Sequence, residues 1–125
     1  MADEPILIVD DNPTNLKLVS FLLSRRGYRV QTASGAQEAL DSLKAVRPVL
    51  ILMDMQMPGV DGFELTRRLK ADPSTRDITV VALTAYAMKG DEERVLEAGC
   101  EGYIAKPIDT RTLPQTVASW IAGKK

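Results

Sequence analysis

Short apolar runs alternate with amphipathic stretches along the whole chain, the pattern of strands covered on both faces by helices. Ile6–Val9, Val49–Met53 and Ile78–Leu83 are almost continuously apolar, which predicts buried central strands of a parallel sheet. Tyr28–Ala33 interleaves Arg29 and Gln31 with apolar residues and reads as an edge strand, and the shorter Gly102–Ala105 reads as the opposite edge. Between these runs, Leu16, Val19 and Leu23 recur at helical spacing, as do Ala36, Ala39, Leu40 and Leu43. Leu65 with Leu69, and Leu113 with Val117, Trp120 and Ile121, continue the series. Asp91, Glu92 and Glu93 suit the solvated first turn of another helix, where acids favour the dipole. Asn12 before Pro13 predicts a capped helix start, Gly27 a helix end, and Ser34 and Asp109 two further caps. The prediction is five strand–helix units in an α/β, doubly wound fold, with residues 1–125 as one domain.

Composition narrows the function. The 125 residues carry a formal net charge of −1, which argues against a nucleic-acid-binding body held by counterion release. Apolar residues at 45% and charged residues at 26% match an ordinary folded protein and exclude a disordered one. There is no histidine, so Ser-His-Asp triads, Cys-His pairs and imidazole bases are excluded and most zinc sites disfavoured. The single cysteine, Cys100, cannot form an internal disulfide and reads as a small buried thiol. No basic segment precedes an apolar one at the start, and no apolar run approaches the roughly 18 residues a membrane span needs. A cytoplasmic protein without membrane insertion is therefore expected.

The chemistry is concentrated where strands end. In an open parallel sheet, ligands bind beyond the carboxyl ends of the strands. Here the first run ends in Asp10-Asp11, the third in Asp54, the fourth in Thr84 and the fifth in Lys106-Pro107. Neighbouring strands lie about 4.8 Å apart, so these side chains can meet around a group of phosphate size. Three carboxylates that close repel one another unless a cation joins them. With only oxygen donors available, a hard ion such as Mg²⁺ is favoured, with Mn²⁺ as an alternative. An ionised Asp54 can then act as a nucleophile toward phosphorus, while Lys106 and Thr84 offer an ammonium and a hydroxyl to the phosphoryl oxygens. Capping of the first helix remains a competing role for Asp11 or Asn12.

Four segments in order carry a resemblance: Ile6-Leu7-Ile8-Val9-Asp10-Asp11-Asn12; Ile51-Leu52-Met53-Asp54-Met55-Gln56-Met57-Pro58-Gly59-Val60-Asp61-Gly62; Leu83-Thr84-Ala85; and Tyr103-Ile104-Ala105-Lys106-Pro107. From about Pro5 to Trp120 the chain resembles the response-regulator receiver domains of bacterial two-component signalling. The resemblance implies a flavodoxin-like sheet of strand order 2-1-3-4-5 with five helices. It places the phosphoacceptor on Asp54, the acidic metal pair on Asp10 and Asp11, and a metal-binding backbone carbonyl on Gln56. It puts the switch hydroxyl on Thr84, the switch aromatic on Tyr103, the phosphate-binding lysine on Lys106 and a cis bond at Lys106-Pro107. It also implies a histidine kinase or histidine phosphotransfer protein as donor, and a downstream protein that reads the switched state. The stretch from Thr84 to Glu93 is similar to stand-alone receivers that regulate cell division and differentiation, and to receivers of hybrid kinases.

Rival readings make different demands. A Mg²⁺-dependent aspartyl-phosphate hydrolase normally places a second acid two residues after the nucleophile, where this chain has Gln56. A flavin module wants a glycine- or hydroxyl-rich phosphate loop after the first strand, and Asp-Asp-Asn-Pro is acidic instead. A receiver cut from a hybrid kinase would share every motif named. Gln56 and Tyr86, each two positions after a key residue, are placed to control water and so the lifetime of a phosphorylated state.

Overall fold

The computed structural model describes residues 4–57, 60–84, 89–105 and 108–123. Its three most apolar runs form the centre of a parallel sheet, because a strand without a polar face must be covered on both sides. In chain order the elements are β1 (Pro5–Val9), α1 (Pro13–Ser24), β2 (Arg29–Ala33), α2 (Ala36–Ala45), β3 (Leu50–Asp54), β4 (Gln56–Met57), β5 (Val60–Asp61), α3 (Gly62–Ala71), β6 (Thr79–Thr84), α4 (Lys89–Glu97), β7 (Gly102–Ala105) and α5 (Leu113–Gly123). The large sheet runs β2-β1-β3-β6-β7, all neighbours parallel. Numbered among themselves, its five strands stand in the order 2-1-3-4-5 of the flavodoxin-like fold.

Alternation along the strands sorts the core into two layers. Leu7, Val9, Ile51, Met53, Val80 and Ala82 pack with Ala39 of α2, Leu65 and Leu69 of α3, and Val95 of α4. Ile6, Ile8, Leu50, Leu52, Val81 and Leu83 pack on the other face with Val19 and Leu23 of α1 and with Val117 and Ile121 of α5. Chain direction alone then brings the carboxyl ends of β1, β3 and β6 to one edge.

Local signals behave unevenly. Asn12 caps α1 as predicted, accepting from the backbone N–H groups of Thr14 at 2.9 Å and Asn15 at 3.3 Å. Gly27, at φ 92°, ends the turn after α1, with its N–H on the Ser24 carbonyl and the Tyr28 N–H on that of Leu23. Ser34 does not cap α2: Gly35 is the N-cap residue, and the Glu38 side chain accepts the Ser34 N–H at 2.7 Å instead. The acid reaching back from the first turn thus satisfies the N–H ahead of the cap, while Gly35 offers no side chain to the helix amides. Asp109 accepts the Arg111 N–H at 2.9 Å in a turn ahead of α5, and its carbonyl, not its carboxylate, receives the Leu113 N–H. The two-stranded β4–β5 hairpin is not foreshadowed by the apolar pattern, since two-residue strands are too short to show a period.

Candidate functional site

Asp10 extends the β1 ladder by one bond, its N–H on the Ala33 carbonyl at 3.0 Å, so it sits at the sheet edge with its backbone fixed. Asp54 closes β3 opposite Leu83 of β6, and the Met55 N–H continues that ladder to the Leu83 carbonyl at 3.1 Å. Thr84 is the last residue of β6, in register with Ala105 of β7. Asp10, Asp54 and Thr84 are buried, each at 2% exposure or less, whereas Asp11 is exposed. Each of the three aspartates offers a carboxylate oxygen, and these oxygens lie within 4.8 Å of one another.

That span can be compared with what one ion needs. Six oxygens about 2.1 Å from a Mg²⁺ centre stand about 3 Å apart when adjacent and about 4.2 Å when opposite. Oxygens already within 4.8 Å of one another are near enough for side-chain rotation to bring all three onto such an ion. The donor set is all oxygen, which suits a hard cation, and three anions converging beside a low-dielectric core demand positive charge. An acid cluster of the kind expected from the strand ends is therefore present.

The Asp10 carboxylate is held by a closed ring of hydrogen bonds. The Asn12 N–H donates to its Oδ1 at 2.9 Å and the Asn15 amide Nδ2 to its Oδ2 at 3.3 Å, while the Asn15 N–H returns to the Asn12 side chain. Asn12 thus caps the helix, while its two neighbouring aspartates contribute oxygens to the acid cluster. The motifs of the sequence did not single out Asn15. Its signal is an amide three residues after the cap, where a side chain can reach back across the first turn.

Gly62, the first residue of α3, was likewise unmarked beyond its place in the second segment. A Cβ there would lie 2.6 Å from the Asp54 carbonyl oxygen and 2.9 Å from Met55 Cα, so only glycine lets α3 start this close to the end of β3. Next to it, the Arg94 guanidinium of α4 lies 4.4 Å from the centre of the Phe63 ring. Tyr103 of β7 is half-buried, packed against the core under α2, α3 and α4. Gln56 opens β4, paired with Asp61. Lys106, Pro107 and Tyr86 lie outside the described residues, and with them the Lys106-Pro107 cis bond.

Residues 6–118 match the family model described as "Response regulator receiver domain". This chain belongs to that family. The receiver is 47% identical over 116 residues to the "Polar-differentiation response regulator DivK" of Brucella anthropi, covering 93% of this chain and 94% of that protein. Its counterpart in Brucella ovis is 48% identical over 117 residues with the same coverage. Among solved structures, the receiver superimposes with a TM-score of 0.88 on the chemotaxis protein CheY4 of Vibrio cholerae, at 28% identity over 94% of this chain and 98% of the other. It is 37% identical, with a TM-score of 0.85, to the receiver domain of the Pseudomonas aeruginosa sensor histidine kinase PA1611, over 97% and 99% of the two chains. That structure holds a magnesium ion coordinated in its active-site cleft. The chain is thus a two-component signalling receiver that accepts a phosphoryl group, and this function implies a histidine kinase or a phosphotransfer protein as its donor. Among the described residues, no helix is long and apolar enough to cross a membrane.

Proposed function

We propose that Asp54 is the phosphoacceptor of this receiver and that Asp10, Asp11, Asp54 and the Gln56 backbone carbonyl hold Mg²⁺ beside it. The convergence of three carboxylate oxygens within 4.8 Å at the carboxyl edge of the sheet carries this reading. A bound Mg²⁺ supplies neutralising charge to the acids and to the phosphoryl oxygens. The Asp54 carboxylate oxygen attacks the phosphorus of a phosphohistidine; the O–P bond forms as the P–N bond breaks, and the imidazole leaves with the electron pair. The phosphohistidine lies outside these 125 residues, which contain no histidine. Lys106 and Thr84 bind the transferred phosphoryl oxygens, so most of the protein's contribution is positioning and charge.

The acyl phosphate adds about two negative charges at the strand edge. Thr84 moves toward them, and the half-buried Tyr103 follows into the space it leaves. The rearranged face around β7 then binds a downstream partner more tightly than the resting face does. We read residues 1–125 as one receiver acting as a switch, with no turnover of free phosphate esters. The buried free thiol of Cys100 suits a reducing, cytoplasmic setting. Gln56 and Tyr86 set how long the phosphoryl group persists. Incubation with Mg²⁺ and acetyl phosphate, or with a phosphorylated kinase, tests the assignment: wild type takes up label and Asp54→Ala does not. Label retained on Asp54→Ala would refute it.

A further inference from the structure

We infer that Asn15 is a positioning residue that fixes the Asp10 carboxylate for metal binding and so sets the Mg²⁺ affinity of the receiver. The inference rests on the metal-site reading above and deepens it. In a usual capping box, the side chain at the third helical position reaches back to accept the N–H of the cap residue. Here the order is inverted. Asp10 Oδ1 accepts the Asn12 N–H at 2.9 Å, and the third helical residue, Asn15, donates its amide to Asp10 Oδ2 at 3.3 Å. A leucine, alanine or glutamate at residue 15 would leave the helix start intact, because its backbone N–H would still reach the Asn12 side chain, yet none of them can donate to Asp10.

The Asn12 N–H engages one oxygen of Asp10 and the Asn15 amide the other, and donors on both oxygens define the plane of the carboxylate. Asp10 is 1% exposed, so water cannot readily replace the amide. Asp11, by contrast, is exposed to solvent, although its carboxylate already lies with the other two. The two adjacent acids therefore differ in setting, Asp10 being buried and held on both oxygens by the start of α1 and Asp11 standing in solvent. Hydrogen-bond partners of metal ligands of this kind are typically worth about 10- to 100-fold in affinity.

The test titrates Mg²⁺ alone into the full chain by calorimetry, for wild type, Asn15→Leu and Asn15→Ala, and repeats it for Asp10→Asn with and without Asn15→Leu. We expect the Mg²⁺ Kd to rise about tenfold or more in both Asn15 variants, with little further rise when Asn15→Leu is added to Asp10→Asn. Labelling by acetyl phosphate should need more Mg²⁺ yet reach the wild-type rate at saturation, a split that a merely structural defect would not give. Wild-type Mg²⁺ affinity in Asn15→Leu and Asn15→Ala would overturn the role of Asn15 while leaving the metal site standing. Absence of saturable Mg²⁺ binding by wild type would instead overturn the metal-site reading, and this inference with it.

Discussion

Replacing Gly62 by alanine presses a methyl group against backbone that cannot rotate away. The new Cβ would stand 2.6 Å from the Asp54 carbonyl oxygen, 2.9 Å from Met55 Cα and 3.2 Å from Met55 Sδ. Carbon normally approaches a carbonyl oxygen to no closer than about 3.3 Å, so α3 and the end of β3 must separate by about 0.7 Å. Overpacking of this kind costs roughly 1–3 kcal/mol, while alanine in a helix returns about 0.5–1 kcal/mol of the glycine entropy. The net loss should be about 1–2 kcal/mol, which for a domain of this size lowers Tm by roughly 3–10 °C. The larger effect falls on chemistry, since catalytic groups tolerate only about 0.5 Å of displacement. Phosphoryl uptake from acetyl phosphate should fall at least about tenfold. Gly35→Ala is the packing control, because nothing lies within 4 Å of a Cβ there; as the N-cap of α2 it should lose up to about 1 kcal/mol, yet label at the wild-type rate. Circular-dichroism melting and a labelling time course measure both quantities. Gly62→Ala with wild-type Tm and labelling rate would show that α3 yields freely and that the close contact does not position Asp54.

Lys70 donates to the carbonyls of Arg76 at 3.1 Å and Ile78 at 2.7 Å and to Glu101 at 2.9 Å, while Glu101 accepts the Val80 N–H at 2.7 Å. Lys70→Met should therefore cost about 2 kcal/mol in urea unfolding, more than an exposed ion pair would explain. Burial pushes the Cys100 thiol up to about 11, against the ordinary 9.0. The unfolded chain loses that proton first, so stability is full below pH 9 and falls by about 2–3 kcal/mol as pH rises toward 11. Unfolding curves of Cys100→Ala should lack that share of the decline, and parallel curves would refute it. Arg94→Ala removes the cation from the Phe63 ring, with an expected loss of about 1 kcal/mol. Hydrogen exchange should show the Val95 amide of α4 less protected, and unchanged protection would mean that the stacking does not hold the helix.

Much of this receiver is local and so was readable from residue order. Apolar runs of four to six residues announce buried strands wherever they pack, and Asn12-Pro13 and Gly27 satisfy backbone groups within their own turns. The acids, hydroxyl and amine at the strand ends could be named without coordinates, because direction along a parallel strand places its carboxyl end. The switch roles of Thr84 and Tyr103, and the 2-1-3-4-5 order, came from likeness to a family, since no period encodes which strand lies beside which. Tertiary structure decided the rest through contacts between distant segments. Lys70 meets Glu101, 31 residues away, only because the end of α3 lies against the segment that leads into β7. Gly62 is obligatory only because α3 begins against the end of β3, and Asn15 is distinguished from any polar helix residue only by its place over Asp10. Even the start of α2 falls at Gly35 and not at the better capping residue Ser34. Short-range hydrogen bonding and hydrophobic periodicity specify the elements, whereas the carboxylate oxygens that converge at the sheet edge are set by sheet register and close packing, which a linear pattern does not contain.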